Sequence, residues 1–271
     1  MARSTYAPWW DTPGITTVTI TPMQANAWVR CPHRHDATFE QSDRDVNTHA
    51  LRRHRYVRAL IHTYSTALIA GERQPIDVTI AAVPLPDMPS DGRDGASSLM
   101  NVAHEALDGY QAFLDTTRID LIVDVCRPVR TPGLPVAGFS GRAMILAGTF
   151  DVIAVRDDGG VGERRDQFGD RHAPGDAIVC ISIAANLPAA NLGDRPASYV
   201  YDRLARFAYG AEEVEIAVVV PMMGRWATAV LTDAQRETGK RICRAMAVTA
   251  RSAVHHAPAG ERHTNGTTAR T

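Results

Sequence analysis

The sequence predicts an α/β fold, and three features point to it. Two runs rich in Val, Ile and Ala, 143–155 (AMILAGTFDVIAV) and 176–184 (DAIVCISIA), have the composition of largely buried strands. The stretch between them, RDDGGVGERRDQFGDRHAPG, is charged and glycine-rich, so it closes the pair into a core hairpin. Helical patterning recurs before and after that pair, in 46–70, 98–117, 196–209 and from 233 to about 254.

With 271 residues, 45% of them hydrophobic, the chain can bury a substantial core in one large domain. We assign 1–14 to a leader, 15–254 to the domain, with a proline-rich insertion or loop at 71–97, and 255–271 to a disordered tail. A formal net charge of −1 excludes a globally basic protein, so a nucleic-acid surface has to come from local clustering. Almost all the basic residues are arginine, and Lys240 is the only lysine. Cys31, Cys126, Cys180 and Cys243 lie far apart with no CxxC pair, which reads as free thiols in a reducing compartment. No apolar stretch approaches the ~20 residues of a membrane span, and MARSTYAPWW lacks the apolar segment of a signal peptide. The expected location is the cytoplasm, with no membrane partner.

The elements follow in order. Residues 15–20 (ITTVTI) are a β-branched strand, and Thr21-Pro22 supplies the N-cap and first residue of a helix. That helix stops near 30 at Cys31-Pro32, because the residue before a proline avoids the helical region. In 46–70, Leu51, Val57, Leu60, Ile61, Tyr64 and Leu68 keep helical spacing, and Gly71 ends the run. The same helix carries Arg52, Arg53, Arg55 and Arg58 with His54 and His62, so it presents either a solvated basic face or a phosphate-facing one. Residues 72–97 read as a loop, an insertion or lid, with a strand at 76–83. The helix at 98–117 sets Val102, Ala106, Tyr110, Phe113 and Leu114 on or near one face. A strand at 119–129 and a Pro/Gly turn region at 131–141 lead into the core hairpin. After it come a loop at 186–194, a helix opened by Pro196 and closed by Gly210, and a buried strand at 214–220 with a hairpin neighbour at 226–231. On the last helix Arg236, Lys240, Arg244 and Arg251 share one face.

Asp151 is the one carboxylate of the first core strand, and a buried charge there is costly unless a cation or hydrogen-bond donors satisfy it. Two readings stay open: a metal ligand, or a carboxylate held by backbone or arginine. His104 has the same two, a ligand or a surface, hydrogen-bonded histidine. The second core strand has no acid and no base over 178–185, only Cys180 and Ser182, which are two apart and so on one face.

This order of elements resembles the PD-(D/E)XK nuclease superfamily, in its RecB-type exonuclease branch. The resemblance spans roughly 20–246 and rests on several local likenesses. TPMQANAWVRCPHRHDATF is similar to the family's opening helix with its Cys-Pro, and HEAL at 104–107 to its helical histidine motif. LAGTFDVIAV resembles the strand with the metal-binding aspartate, AIVCISIAAN the next strand, and SYVYDRLARFAYG the following helix. The resemblance implies a restriction-endonuclease-like core, a mixed central β-sheet flanked by helices, with a metal site at the sheet's centre. It also implies Mg²⁺ or Mn²⁺ held by two acids, with a lysine near the attacking water.

On that alignment His104, Asp151 and Tyr201 fall on the family's histidine, aspartate and aromatic positions, with His104 and Asp151 as the metal ligands. Cys180 stands where the second acid belongs and Ser182 where the lysine belongs. A neutral thiol is a poor ligand for a hard cation, and a hydroxyl cannot supply the missing positive charge. Asp176 lies some ~13 Å further along an extended strand than Cys180. Lys240 sits on the terminal helix, and Arg203 and Arg206 cannot act as bases. Some relatives hold an iron–sulfur cluster; Cys31 and Cys243 cannot supply four thiolates, so none is expected here.

Two functional classes compete. One is an inactive nuclease-fold module that binds DNA or a protein partner such as a helicase, with Arg52, Arg53, Arg55, Arg58, Arg236, Lys240 and Arg244 contacting phosphates. The other is a metal-dependent DNA exonuclease or endonuclease with a rearranged site. An acid beside Asp151, or a cation above Cys180 and Ser182, would favour the second.

Overall fold

The structure is a computed structural model, and it describes residues 14–30, 48–86, 96–156, 177–189 and 191–250. Its elements in chain order are β1 (Thr16–Ile20), α1 (Pro22–Arg30), α2 (Thr48–Ile69), α3 (Ile76–Ala82), α4 (Ala96–Thr117), β2 (Ile119–Arg130) and β3 (Leu134–Pro135). They continue with β4 (Arg142–Arg156), β5 (Ile178–Ile183), α5 (Pro196–Tyr209), β6 (Val214–Val220), β7 (Arg225–Val230) and α6 (Asp233–Thr249).

β4 is the axis of the sheet. Its start pairs in parallel with β1, from Thr16↔Arg142 to Ile20↔Leu146, and antiparallel with β3. Its remainder pairs antiparallel with β2, and Val152 to Val155 also pair antiparallel with Ile181 to Ile178 of β5. β6 then adds in parallel to β5, and β7 closes the sheet antiparallel to β6. The result is a mixed sheet, with the expected core hairpin at its centre. β2 and β3 take one edge of β4, and β1 and β5 share the other. Along that second edge the β1 ladder ends at Leu146 and the β5 ladder begins at Val152. Asp151 sits just at the end of that interval.

Helices cover both faces. α1, α5 and α6 pack over a core that includes Leu146, Phe150, Ile153, Cys180, Leu204 and Met246. α2, α3 and α4 pack over the opposite core, with Leu60, Tyr64, Tyr110, Phe113, Val152, Ile181 and Val219. The helix ends have identifiable stops. Gly210 takes a left-handed φ of 65° and its amide closes α5 on the Arg206 carbonyl, a conformation a side chain disfavours. Thr232 and Gln235 form a reciprocal capping box at the start of α6. At its end Arg142, the first residue of β4, donates to the carbonyls of Ala247, Val248 and Ala250 at 2.6–3.1 Å.

The strand expected at 76–83 is instead the helix α3. Its β-branched composition favours a strand, but Thr79, Ile80 and Val83 are buried together at helical spacing, and Ile80 and Val83 join the core that α2 and α4 share. Tertiary burial overrides a weak local preference. β3 adds two paired residues to the expected turn region. The leader 1–13, the Cys31-Pro32 segment, Asp176, Arg251 and the tail lie outside the described residues, as do the hairpin loop 157–176 and the 87–95 part of the insertion.

Gly109 of α4 faces the turn after β6, where an added Cβ would stand 2.0 Å from the Pro221 carbonyl oxygen and 3.3 Å from Gly224 Cα. Backbone lies on the far side of that contact, so no side chain can yield. Gly109→Ala should therefore destabilise the fold by about 1–3 kcal/mol, read as a lower urea midpoint at an unchanged slope.

Candidate functional site

The site is built around Asp151, which is 6% exposed. Past the last β4–β5 pair, the backbone N–H of Ile183 has no strand partner on that side, and Asp151 Oδ2 accepts it at 2.8 Å. The other oxygen, Oδ1, accepts from Arg58 Nη2 of α2, and His62 Nε2 lies 3.5 Å from the same atom. Burial works to raise the Asp151 pKa, but the donors at His62 and Ile183 and the Arg58 charge outweigh it and hold the carboxyl below its ordinary value. The buried charge is thus fully served by protein groups.

The partners come from a single stripe. His54, Arg58 and His62 recur at intervals of four on α2, which places them on one face. The His54 pKa is pushed down by burial and then by Arg58, with Asp151 opposing. His62 also reaches back to β2: its Nδ1 lies 2.8 Å from Sγ of Cys126, an exposed residue with φ of 53°. Burial and then Asp151 raise the Cys126 thiol, while Arg58 opposes them. Composition marked this helix as basic, and the signal for its role is the period of four opposite an acid that needs a cation.

Cys180 and Ser182 do share one face of β5, as their spacing predicts, and it is the face under α5 and α6. Cys180 is 2% exposed, and burial followed by the nearby Asp202 raises its pKa well above the ordinary thiol value. Ser182 hydrogen-bonds Tyr201, whose hydroxyl pKa is pushed up to about 12, mainly by burial. The Tyr201 ring packs at 5.7 Å on Phe150. Asp202, whose charge acts on Cys180, is fully buried and committed: Arg206 Nε donates to both its oxygens at 3.1 Å and Arg236 Nε to one at 3.3 Å. That triad ties α5 to α6.

The structure therefore brings Asp151 to Arg58 and His62, and Ser182 to Tyr201. It sets the Cys180 thiol in the layer under α5 and α6, while Arg58 and His62 reach Asp151 from α2 on the other face. His104 finds different company on α4: Nε2 pairs with Asp77 of α3 and Nδ1 with the Met100 carbonyl, both at 2.9 Å. That carbonyl, then Asp77, raises its pKa. Among the cations expected at phosphates, Arg58 and Arg236 are spent on internal carboxylates and Lys240 pairs with Glu237. Arg55 is exposed, and Arg53, half-buried, carries an Nε with no hydrogen-bond partner among the described residues.

These residues do not fit a divalent cation. A hard ion needs several free oxygen donors, and Asp151 offers none that is not already taken by a guanidinium, an imidazole or an amide. Cys180, which faces the layer under α5 and α6, is a neutral buried thiol and a poor ligand for such an ion. No group of three or more His, Cys, Asp or Glu among the described residues is arranged to hold a metal ion. No helix among them is long and apolar enough to cross a membrane.

Comparison with known proteins adds little. No protein-family model matches the chain, and no curated protein matches it. Among solved structures, one described as "Crystal structure of SSO0001" is similar at 12% identity over 70% of this chain and 73% of that one. Its TM-score of 0.28 carries no argument about fold or function.

Because the Asp151 pKa is lowered on folding, its ionised form stabilises the native state above the ordinary carboxyl range near ~4, and this contribution disappears as pH falls through the lowered value. Asp151→Asn should cost about 1–3 kcal/mol at neutral pH, nearer the lower figure because Arg58 is 38% exposed and water screens the pair. Urea denaturation at a series of pH values should show wild type and variant converging at the acid end.

Proposed function

We propose that this chain is a PD-(D/E)XK-type nuclease scaffold, with a restriction-endonuclease-like core, that binds DNA without hydrolysing it. The observation that carries the reading is at Asp151. Both carboxylate oxygens are engaged by protein donors, and Arg58 supplies the positive charge beside them. A guanidinium neutralises the buried charge, but it cannot lower the pKa of a bound water or accept a proton. The mixed sheet with helices on both faces supports the scaffold reading. So does the hairpin of β4 and β5, where Asp151 and Cys180 fall on the expected strands.

Among the described residues no second acid joins Asp151, whose partners are Arg58, His62 and the Ile183 amide, and Arg30 and Arg195, which line the same cleft as Ser182, cannot act as bases. Asp202, whose charge acts on Cys180, is locked by Arg206 and Arg236, and among the described residues Ser182 bonds Tyr201 and no lysine or arginine. What the scaffold retains is cationic surface, including Arg55 and Arg53 of α2 and Arg244 of α6, suited to phosphate contacts that position a strand without reading its sequence.

Two measurements test this. Purified protein incubated with single- and double-stranded DNA and Mn²⁺ should leave both intact; cleavage that disappears in Asp151→Ala would overturn the reading. DNA affinity should fall linearly with salt on logarithmic axes, because each neutralised phosphate releases counterions. No binding at low salt would remove DNA as the partner.

A further inference from the structure

A cleft of about 740 Å³ opens between α1 and α5, over the face of β5 and β6 that carries Ser182, Ile216 and Val218. Its walls are largely apolar, with Trp28, Leu187 and Leu192 among them, and among the described residues no Asp or Glu lines it. Two guanidinium groups do. Arg30 stands at the last turn of α1 and Arg195 immediately before α5, and neither has a carboxylate partner among the described residues. Arg195 is half-buried, and burial followed by the repulsion of Arg30 pushes its pKa below the ordinary value, with Tyr201 opposing. Like charges held together in a partly dry cleft, with no internal acid, are unfavourable until an anion joins them. Elsewhere in the fold the partly buried Arg58, Arg206 and Arg236 each have a carboxylate partner, as does Arg156, and Arg142 is held by three backbone carbonyls.

We propose that this cleft binds a phosphomonoester carried on a nucleotide-sized body, with the phosphate between Arg30 and Arg195 and the body against the apolar wall. The charge matches: a phosphomonoester carries about −1.5 to −2 at neutral pH, whereas one carboxylate would leave a guanidinium uncompensated. Guanidinium groups can each present two parallel donors to phosphate oxygens. The size matches as well, since pockets for small ligands run from roughly 300 to 1,000 Å³ and a bare phosphate ion would fill only a small part of this one. Asn26 Oδ1 accepts from the Ala197 amide at 3.1 Å, so it braces α1 against α5 beside the cleft. The phosphate can belong to a free mononucleotide or to the 5′ end of a strand. For the strand end the proposal rests on the DNA-binding reading above; for the free nucleotide it does not.

The test uses the full chain with four probes: adenosine monophosphate, adenosine, and hexathymidylate with a 5′-phosphate or a 5′-hydroxyl. The phosphorylated member of each pair should bind at least about tenfold more tightly, as one charge-assisted hydrogen-bond set implies. Arg195→Gln and Arg30→Gln should each abolish that advantage, and Arg225→Gln, on the exposed strand β7, should leave it unchanged. Arg30 is exposed at a helix end, so its replacement keeps the test valid should Arg195→Gln fail to fold. Adenosine monophosphate binding as tightly as the strand assigns the cleft to free nucleotides; the strand binding more tightly assigns it to strand ends. Equal binding of phosphorylated and unphosphorylated probes overturns the inference and leaves the DNA reading standing. Arginine-dependent binding of the mononucleotide with no strand binding at low salt sinks the DNA reading and leaves the cleft.

Discussion

An ionised carboxylate buried in the central strand of a sheet constrains everything around it. Asp151 lies where the β1 ladder has ended and just before the β5 ladder begins, and it resolves two problems at once. One oxygen takes the Ile183 amide that strand pairing leaves over, and the other draws Arg58 down from α2. The second contact fixes the rotation of α2, because His54 and His62 lie on the same stripe as Arg58. Removing the charge would free an amide on β5 and leave a cation facing the sheet with nothing to meet.

The same arrangement separates groups that a hydrolytic centre would need to gather. The thiol of Cys180 and the hydroxyl of Ser182 belong to the layer under α5 and α6, where Tyr201 and the locked Asp202 are their neighbours. Asp151 takes its side-chain partners from the helix on the opposite layer. Each group is satisfied where it stands. Arg30 and Arg195, which have no carboxylate partner among the described residues, line the α1–α5 cleft together with Ser182 and Tyr201, so the charge suited to binding an anion lies on the β5 face away from α2.

Much of the fold was legible in the residues themselves. Runs such as VEIAVVV and AMILAGTFDVIAV have no polar face and are read as buried strands wherever they occur, and Pro196 with Gly210 bounds α5 at both ends. α3 was not legible, because its β-branched residues favour extended structure and only burial in the core that α2 and α4 share makes a helix of them. At the site, the sequence showed that Asp151 needed a cation but not which one. Arg58 is 93 residues away, and among four arginines in seven positions nothing local distinguishes it. Its spacing of four from two histidines was the available clue. Arg30 and Arg195 carried no signal at all, since each is an ordinary helix-terminal arginine until folding places them in one cleft.

The central claim is that a guanidinium holds the position a divalent cation would occupy. Titrating Mn²⁺ into the wild-type chain and into Asp151→Asn, followed by calorimetry or by the manganese resonance, tests it directly. The account predicts no saturable binding to the wild type, and no change when Asp151 is replaced. Micromolar binding to the wild type that vanishes in Asp151→Asn would show that the ion displaces Arg58, and the scaffold would have to be regarded as a working metal centre.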